Sequence, residues 1–286
     1  MLKRILTGLV LCALLIPVAF IGGWAYVVVA MIVSYLAGYE VLKVMNTADP
    51  TLKRLKYVVP LWNVYTLLFA FIAPEWVMAS IALAVLALMG VTMVINNMNL
   101  KTTLSVVFSY LYTGVLWMLV VMLRAPHTTY TTLFDLSHGF YLFAFVVLVV
   151  CFTDMGAYVI GILFGKRKLC PTISPKKTIG GAIGGAIVGT LVGVGFYLLI
   201  SELVLHAPLI NAVAEKRILN LIVVILISLV VSICGQIGDL VASKIKRTYD
   251  VKDFSNLLPG HGGILDRFDS LIFAGAVFAS IIAILA

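Results

Sequence analysis

Charge is what this sequence has least of. Only 11% of its 286 residues are Asp, Glu, Lys or Arg, with 63% hydrophobic and a mean hydropathy of +1.15; soluble chains carry about 25% charged residues. That excludes a globular protein on a single anchor and points to a polytopic membrane protein. The four cysteines, Cys12, Cys151, Cys170 and Cys234, have no C-x-x-C or other ligand spacing, which excludes a zinc site and a disulfide frame and leaves free thiols. No linker, low-complexity tract, soluble domain or usable repeat stands out. No small-x-small cleavage site follows the first apolar run, so that run is read as a retained helical hairpin and not a signal peptide. The Gly-rich stretch 179–196 follows no strand, which excludes a dinucleotide fingerprint; its Gly181/Gly185/Gly189 spacing instead favours close helix contact in lipid. The net charge of +8 would suggest nucleic acid in a soluble chain. Here it reflects basic loops beside anionic lipid, and no nucleic-acid partner is expected.

Apolar runs of roughly 20 residues predict nine spans, at about 5–21, 24–42, 57–73, 76–95, 102–123, 139–163, 178–201, 218–242 and 266–286. The breakers Pro50, Pro74, Asn96–Asn97, Pro126, Pro171, Pro175 and Pro208 support the divisions. With the N-terminus inside, only Arg124, Lys216 and Arg217 of the twenty Lys and Arg fall in outer segments, as the positive-inside rule expects. The predicted fold is an all-α polytopic integral membrane protein of nine transmembrane helices, N-in and C-out. Residues 1–137 would hold the first five spans. Residues 138–286 would form the catalytic region, with cytoplasmic loops 164–177 and 243–265.

What polarity there is concentrates between Ser243 and Asp269, SKIKRTYDVKDFSNLLPGHGGILDRFD, which holds three Lys, two Arg, four Asp and one His. Asp266 and Asp269 share one side of the predicted last helix, where an N-cap role for one competes with metal binding. The preceding PGHGG brings backbone N–H groups that could approach phosphate oxygens, and Arg267 can grip a phosphate bidentately. Carboxylates from two helices beside these cations form a plausible oxygen site for Mg²⁺ holding a polyphosphate. His261 could orient a phosphate or a carboxylate. Asp154 lies within an apolar span, where an aspartate costs about 2.5–3.5 kcal/mol and usually faces a cavity; the alternative is a structural partner for a neighbouring hydroxyl. Asp239 shares a helix face with Ser243, with Lys246 and Arg247 a turn further on, either as a site or as an ion pair at the membrane boundary. The loop 164–177 reads as a second phosphate clamp through Lys166, Arg167, Lys168, Lys176 and Lys177, with Ser174 and Thr178 near the next helix start. Topogenic charge alone would explain the sign of those residues.

These residues resemble the signature of the phosphatidate cytidylyltransferase (CDP-diacylglycerol synthase) family. The pattern S-x-[aliphatic]-K-R, K-D, a small residue, P-x-H-G-G and D-R-x-D is met by Ser243, Ile245, Lys246, Arg247, Lys252, Asp253, Ser255, Pro259, His261, Gly262, Gly263, Asp266, Arg267 and Asp269. TDMGAY at 153–158, FGK at 164–166 with Lys168, and SPKKT from Ser174 extend the likeness over 150–270. Glu40 in AGYE resembles an acidic position common after the second helix. The resemblance implies transfer of a cytidylyl group from CTP to phosphatidic acid, with Mg²⁺ required, in a membrane-embedded homodimer. It implies metal ligation by Asp239, Asp266 and Asp269. It also implies catalytic roles for Lys177 and Arg267 and phosphate contacts from Lys246 and Arg247. Asp154, Lys166, Lys168, Ser174, Thr178, Ser243, Lys252, Asp253, His261, Gly262 and Gly263 would contact substrate. The setting would be a bacterial inner membrane, with the site facing the cytoplasm.

Rival readings are another CTP-using lipid enzyme, such as a polyprenol kinase or an ether-lipid cytidylyltransferase, and a cation-coupled transporter using Asp154 and Asp239. Against transport, the polar groups crowd one membrane face and no inverted repeat is visible. A D-G-x-x-A-R helix, needed for a CDP-alcohol phosphotransferase, is absent.

Overall fold

Inside lipid a backbone must satisfy its own polar groups, so long apolar runs become helices. The computed structural model describes residues 2–95, 99–124, 139–210 and 216–285. They form helices α1 (Leu2–Ile21), α2 (Gly23–Met45), α3 (Val58–Ile72), α4 (Val77–Val94), α5 (Leu100–Tyr110), α6 (Leu116–Met122), α7 (Gly139–Phe164), α8 (Ile179–Leu203), α9 (Arg217–Thr248) and α10 (Leu265–Leu285). Every predicted apolar segment is helical. Among the described residues, seven helical segments are long and apolar enough to cross a membrane, and α1 and α3 contribute shorter apolar stretches. The breakers Asn96–Asn97 and Pro126, and the expected boundary at 137/138, lie outside the described residues.

Two departures matter for function. The loop expected at 164–177 contains a hairpin, β1 (Lys168–Cys170) antiparallel to β2 (Ser174–Thr178). Also, α9 continues six residues beyond its expected end at 242, so Ser243, Lys246 and Arg247 are helical. Ala242 and Ile245 stay buried there, and Lys246 and Arg247 in the last turn complement the helix dipole.

The chain divides into two compact units, one of Met1–Thr129 with Ile245–Phe268, the other of Tyr130–Lys244 with Asp269–Ala286. In the first, Gly22 adopts φ +70 between α1 and α2. The Arg124 guanidinium donates to the carbonyls of Ala19 (2.8 Å) and Phe20 (3.0 Å), so the last turn of α1 is capped by a cation. A π-helical turn, Leu111–Val115, joins α5 to α6. The Ser34 hydroxyl donates to the Thr113 carbonyl (2.6 Å), and the Asn63 amide donates to the Thr113 hydroxyl (2.9 Å) and the Ser34 carbonyl (3.2 Å). Gly38 and Gly114 leave the space that Asn63 occupies. All of this network is buried; its hydrogen bonds run between neighbouring helices, while Asn63 Oδ1 has no partner among the described residues.

In the second unit, α7 and α8 run in close contact. A Cβ on Gly181 would stand 2.6 Å from the Ala157 carbonyl oxygen, and one on Gly185 2.6 Å from that of Thr153. The spacing read from the sequence is therefore the helix interface itself. Thr153 and Ser232 share a buried hydroxyl–hydroxyl bond of 2.7 Å between α7 and α9.

Candidate active site

In the second unit, the hairpin brings its cations to α7 and α9. Thr178 ends β2 and caps α8, its hydroxyl accepting from Gly181 N–H at 3.1 Å. That cap fixes the preceding residue, Lys177, whose ammonium lies 2.6 Å from Asp239 Oδ2 on α9. The other oxygen of Asp239 accepts from the Ser243 hydroxyl one turn on, at 3.2 Å. Asp154, Lys168, Lys176, Lys177, Thr178 and Asp239 all line one cavity of about 510 Å³, with Gln236 on its wall. Gln236 is held by a bond to the Ala182 carbonyl (3.1 Å). Ser174 is half-buried at the start of β2, paired with Cys170, while Lys166 and Arg167 are exposed just before β1. Of the expected second clamp, the structure gathers Lys168, Lys176, Lys177 and Thr178 around Asp154 and Asp239.

In the first unit, the signature loop is tied down by carboxylates. Asp266 is buried. Its Oδ1 lies 2.6 Å from the Lys246 ammonium, and its Oδ2 accepts from Phe254 N–H and Gly263 N–H, both at 2.9 Å. The Lys246 ammonium also lies 5.4 Å from the Phe254 ring centroid. A tight turn, Leu258–Gly262, carries positive φ at Gly260 and Gly262, which favours glycine at both. His261 donates its backbone N–H to the Leu258 carbonyl (2.9 Å), and its Nδ1 is buried without a hydrogen-bond partner among the described residues. Lys252 and Asp253 are exposed, and Arg247 donates to the Val251 carbonyl (3.2 Å). Arg267 is exposed in the first turn of α10 and makes no ion pair among the described residues.

The residue underweighted by sequence reasoning is Glu40. It is 2% exposed on α2. Its Oε1 accepts from the Ser255 hydroxyl (2.6 Å) and Ile264 N–H (2.9 Å), and its Oε2 from Leu265 N–H (2.9 Å). Of the PGHGG N–H groups expected near phosphate, that of Gly263 goes to Asp266, and the two that follow, at Ile264 and Leu265, go to Glu40. The only local signal was an acid inside an apolar helix, because its partners lie more than 200 residues away.

For the expected Mg²⁺, Asp239 and Asp269 both belong to the second unit. There α9 and α10 touch at Gly238, where an added Cβ would be 2.6 Å from the Asp269 carbonyl oxygen. Asp154 and Asp239 share the cavity. One or two carboxylates completed by water and phosphate oxygens suit Mg²⁺, and the Asp239 oxygens, engaged by Lys177 and Ser243, keep acceptor capacity. The donor chemistry fits. Asp266 differs, because three donors already hold it. Among the described residues no group of three or more His, Cys, Asp or Glu side chains forms a metal-binding arrangement.

Comparison with known proteins identifies the family. Residues 2–285 match the model of the Cytidylyltransferase family. The phosphatidate cytidylyltransferase of Bacillus subtilis (strain 168) is 31% identical over 277 residues, covering 96% of this chain and 94% of that protein. The enzyme of the same name from Staphylococcus haemolyticus is 32% identical over 278 residues, covering 94% of each. A third relative so named, from Staphylococcus saprophyticus, is 31% identical over 276 residues. With the match running nearly end to end, this integral membrane protein belongs to the cytidylyltransferase family.

Proposed function

We infer that the protein is a phosphatidate cytidylyltransferase, converting CTP and phosphatidic acid to CDP-diacylglycerol and pyrophosphate. The observation that carries this reading is the family match across residues 2–285, which includes every position of the Ser243–Asp269 signature. An oxygen of the lipid phosphate bonds to the α-phosphorus of CTP, the bond from that phosphorus to the β-bridging oxygen breaks, and pyrophosphate leaves. A phosphate monoester is already a fair nucleophile at neutral pH, so the protein has mainly to neutralise and align converging negative charge. Lys168, Lys176 and Lys177 bring that charge to the cavity, and Arg267 offers a free, exposed fork for phosphate oxygens. Asp239 and Asp269 would hold Mg²⁺, which when bound shields the triphosphate oxygens. Asp266 is assigned to ordering the loop.

The same reading has nine spans, N-in and C-out, in a bacterial inner membrane, with the site on the cytoplasmic side. At 15 residues, α3 is about 22 Å long against a core of about 30 Å. Exposed Tyr57 and Trp76 flank it, as interfacial anchors of a short span would. The Thr7 hydroxyl donates to the Pro259 carbonyl (3.1 Å), which supports placing the start of α1 beside the signature loop. Arg124 sits at the end of α1 away from Thr7, and Arg217 opens α9 at the end away from Arg247, which supports that orientation.

Purified enzyme with CTP should release pyrophosphate only when phosphatidic acid is added. Release of CDP without pyrophosphate would sink the reading. Arg267→Lys should lower kcat/KM by about 10- to 100-fold, because an ammonium cannot make the paired guanidinium contact; steady-state kinetics on both substrates checks it.

A further inference from the structure

Glu40 is a buried carboxylate held by neutral donors, with no ion pair among the described residues. Burying a charge is costly unless hydrogen bonds and dipoles stabilise it. Here a hydroxyl and two N–H groups at the N-terminus of α10 do so. An apolar residue would fill the same space without that cost, so the carboxylate's contribution is geometric. It grips the loop at Ser255 and again at Ile264 and Leu265, on either side of the Leu258–Gly262 turn. Arg267 follows two residues after the second grip. Gly263 permits the approach, since a Cβ there would stand 2.5 Å from Glu40 Oε2.

We propose that Glu40 is a positioning residue for cytidylyl transfer, clamping the signature loop and setting the angle at which α10 presents Arg267 to phosphate. The inference rests on the function proposed above. A carboxylate is required because Ile264 N–H and Leu265 N–H address different oxygens. A glutamine amide must turn its NH₂ group against one of them, losing a bond and opposing two donors. Aspartate keeps both acceptors but falls one methylene short.

The test compares wild type, Glu40→Gln and Glu40→Asp in detergent, by steady-state kinetics and by amide hydrogen exchange. Glu40→Gln should lower kcat by about 10- to 100-fold while KM for CTP stays within about 2-fold. Glu40→Asp should recover part of the loss. Exchange should quicken at Ile264 and Leu265 and stay unchanged in α7 and α8. Wild-type kcat in Glu40→Gln overturns the proposal. So does a loss that tracks a fall in unfolding temperature with faster exchange throughout. If Glu40→Gln does not fold, Ser255→Ala decides, because it removes one donor and keeps both N–H bonds. A smaller fall confined to kcat supports the clamp, and unchanged kcat overturns it. A wild type that makes no CDP-diacylglycerol would refute the function instead, and the exchange measurement would still decide the clamp.

Discussion

Lys246→Met should abolish turnover and destabilise the protein by about 3–5 kcal/mol, the usual cost of removing one partner from a buried ion pair. The side chains of Lys246 and Asp266 are only 12% and 3% exposed. Methionine fills much the same volume, so the effect reports the charge left on Asp266. That carboxylate would keep its bonds from Phe254 and Gly263 but lose the ammonium that neutralises it. Adding Asp266→Asn should recover part of the stability, because a neutral amide tolerates burial better than an unpaired carboxylate. Activity should not return, since the loop is no longer held in place. Thermal unfolding in detergent and kcat on the single and double variants check this. A single variant with the wild-type unfolding temperature would mean that the pair is solvated and does not order the loop.

Gly185→Leu should be comparably damaging for a different reason. The new Cβ would meet the Thr153 carbonyl oxygen at 2.6 Å and the Ala157 Cβ at 2.9 Å. One of those neighbours is backbone, which cannot rotate away, so α7 and α8 must separate. Overpacking typically costs about 1–3 kcal/mol, and a backbone clash belongs at the upper end or beyond. Separation would also open the cavity that collects Asp154, Lys177 and Asp239, so activity should fall with stability. Gly195→Ala is the control. Nothing lies within 4 Å of its Cβ position, and alanine is the better helix former. Unfolding temperature and activity of both variants should diverge accordingly; equal behaviour would remove the glycine seam from the account.

What could be read beforehand follows from the range of each signal. Apolar run length is local and strong in lipid, and the nine predicted segments are all helical. The Gly181/Gly185/Gly189 spacing is local too, and it marks the α7–α8 seam. The β1–β2 hairpin was missed because its strands are short and rich in Lys and Pro, and a basic loop with an ST-type cap predicts only the helix start at Thr178. The span was ended at 242 because charge begins there, although Ser243, Lys246 and Arg247 already read as continuing its helical face, and Lys and Arg continue a helix readily at the membrane boundary. Asn63, Ser34 and Thr113 gave no local cue, because their network joins three helices far apart in sequence. The backbone N–H groups of PGHGG were matched to phosphate, whereas Gly263 N–H goes to Asp266 and the next two, at Ile264 and Leu265, go to Glu40 on α2. That pairing is a tertiary fact, and a motif carries no information about it.

The most direct test supplies phosphatidic acid, Mg²⁺ and CTP labelled at either the α- or the γ-phosphate to wild type and to Asp239→Asn. The account predicts α-label in the lipid phase, γ-label in pyrophosphate, and a fall of about 100-fold or more when the cavity loses the Asp239 carboxylate. Label from the γ-phosphate in lipid would contradict it, as would undiminished transfer of α-label by Asp239→Asn.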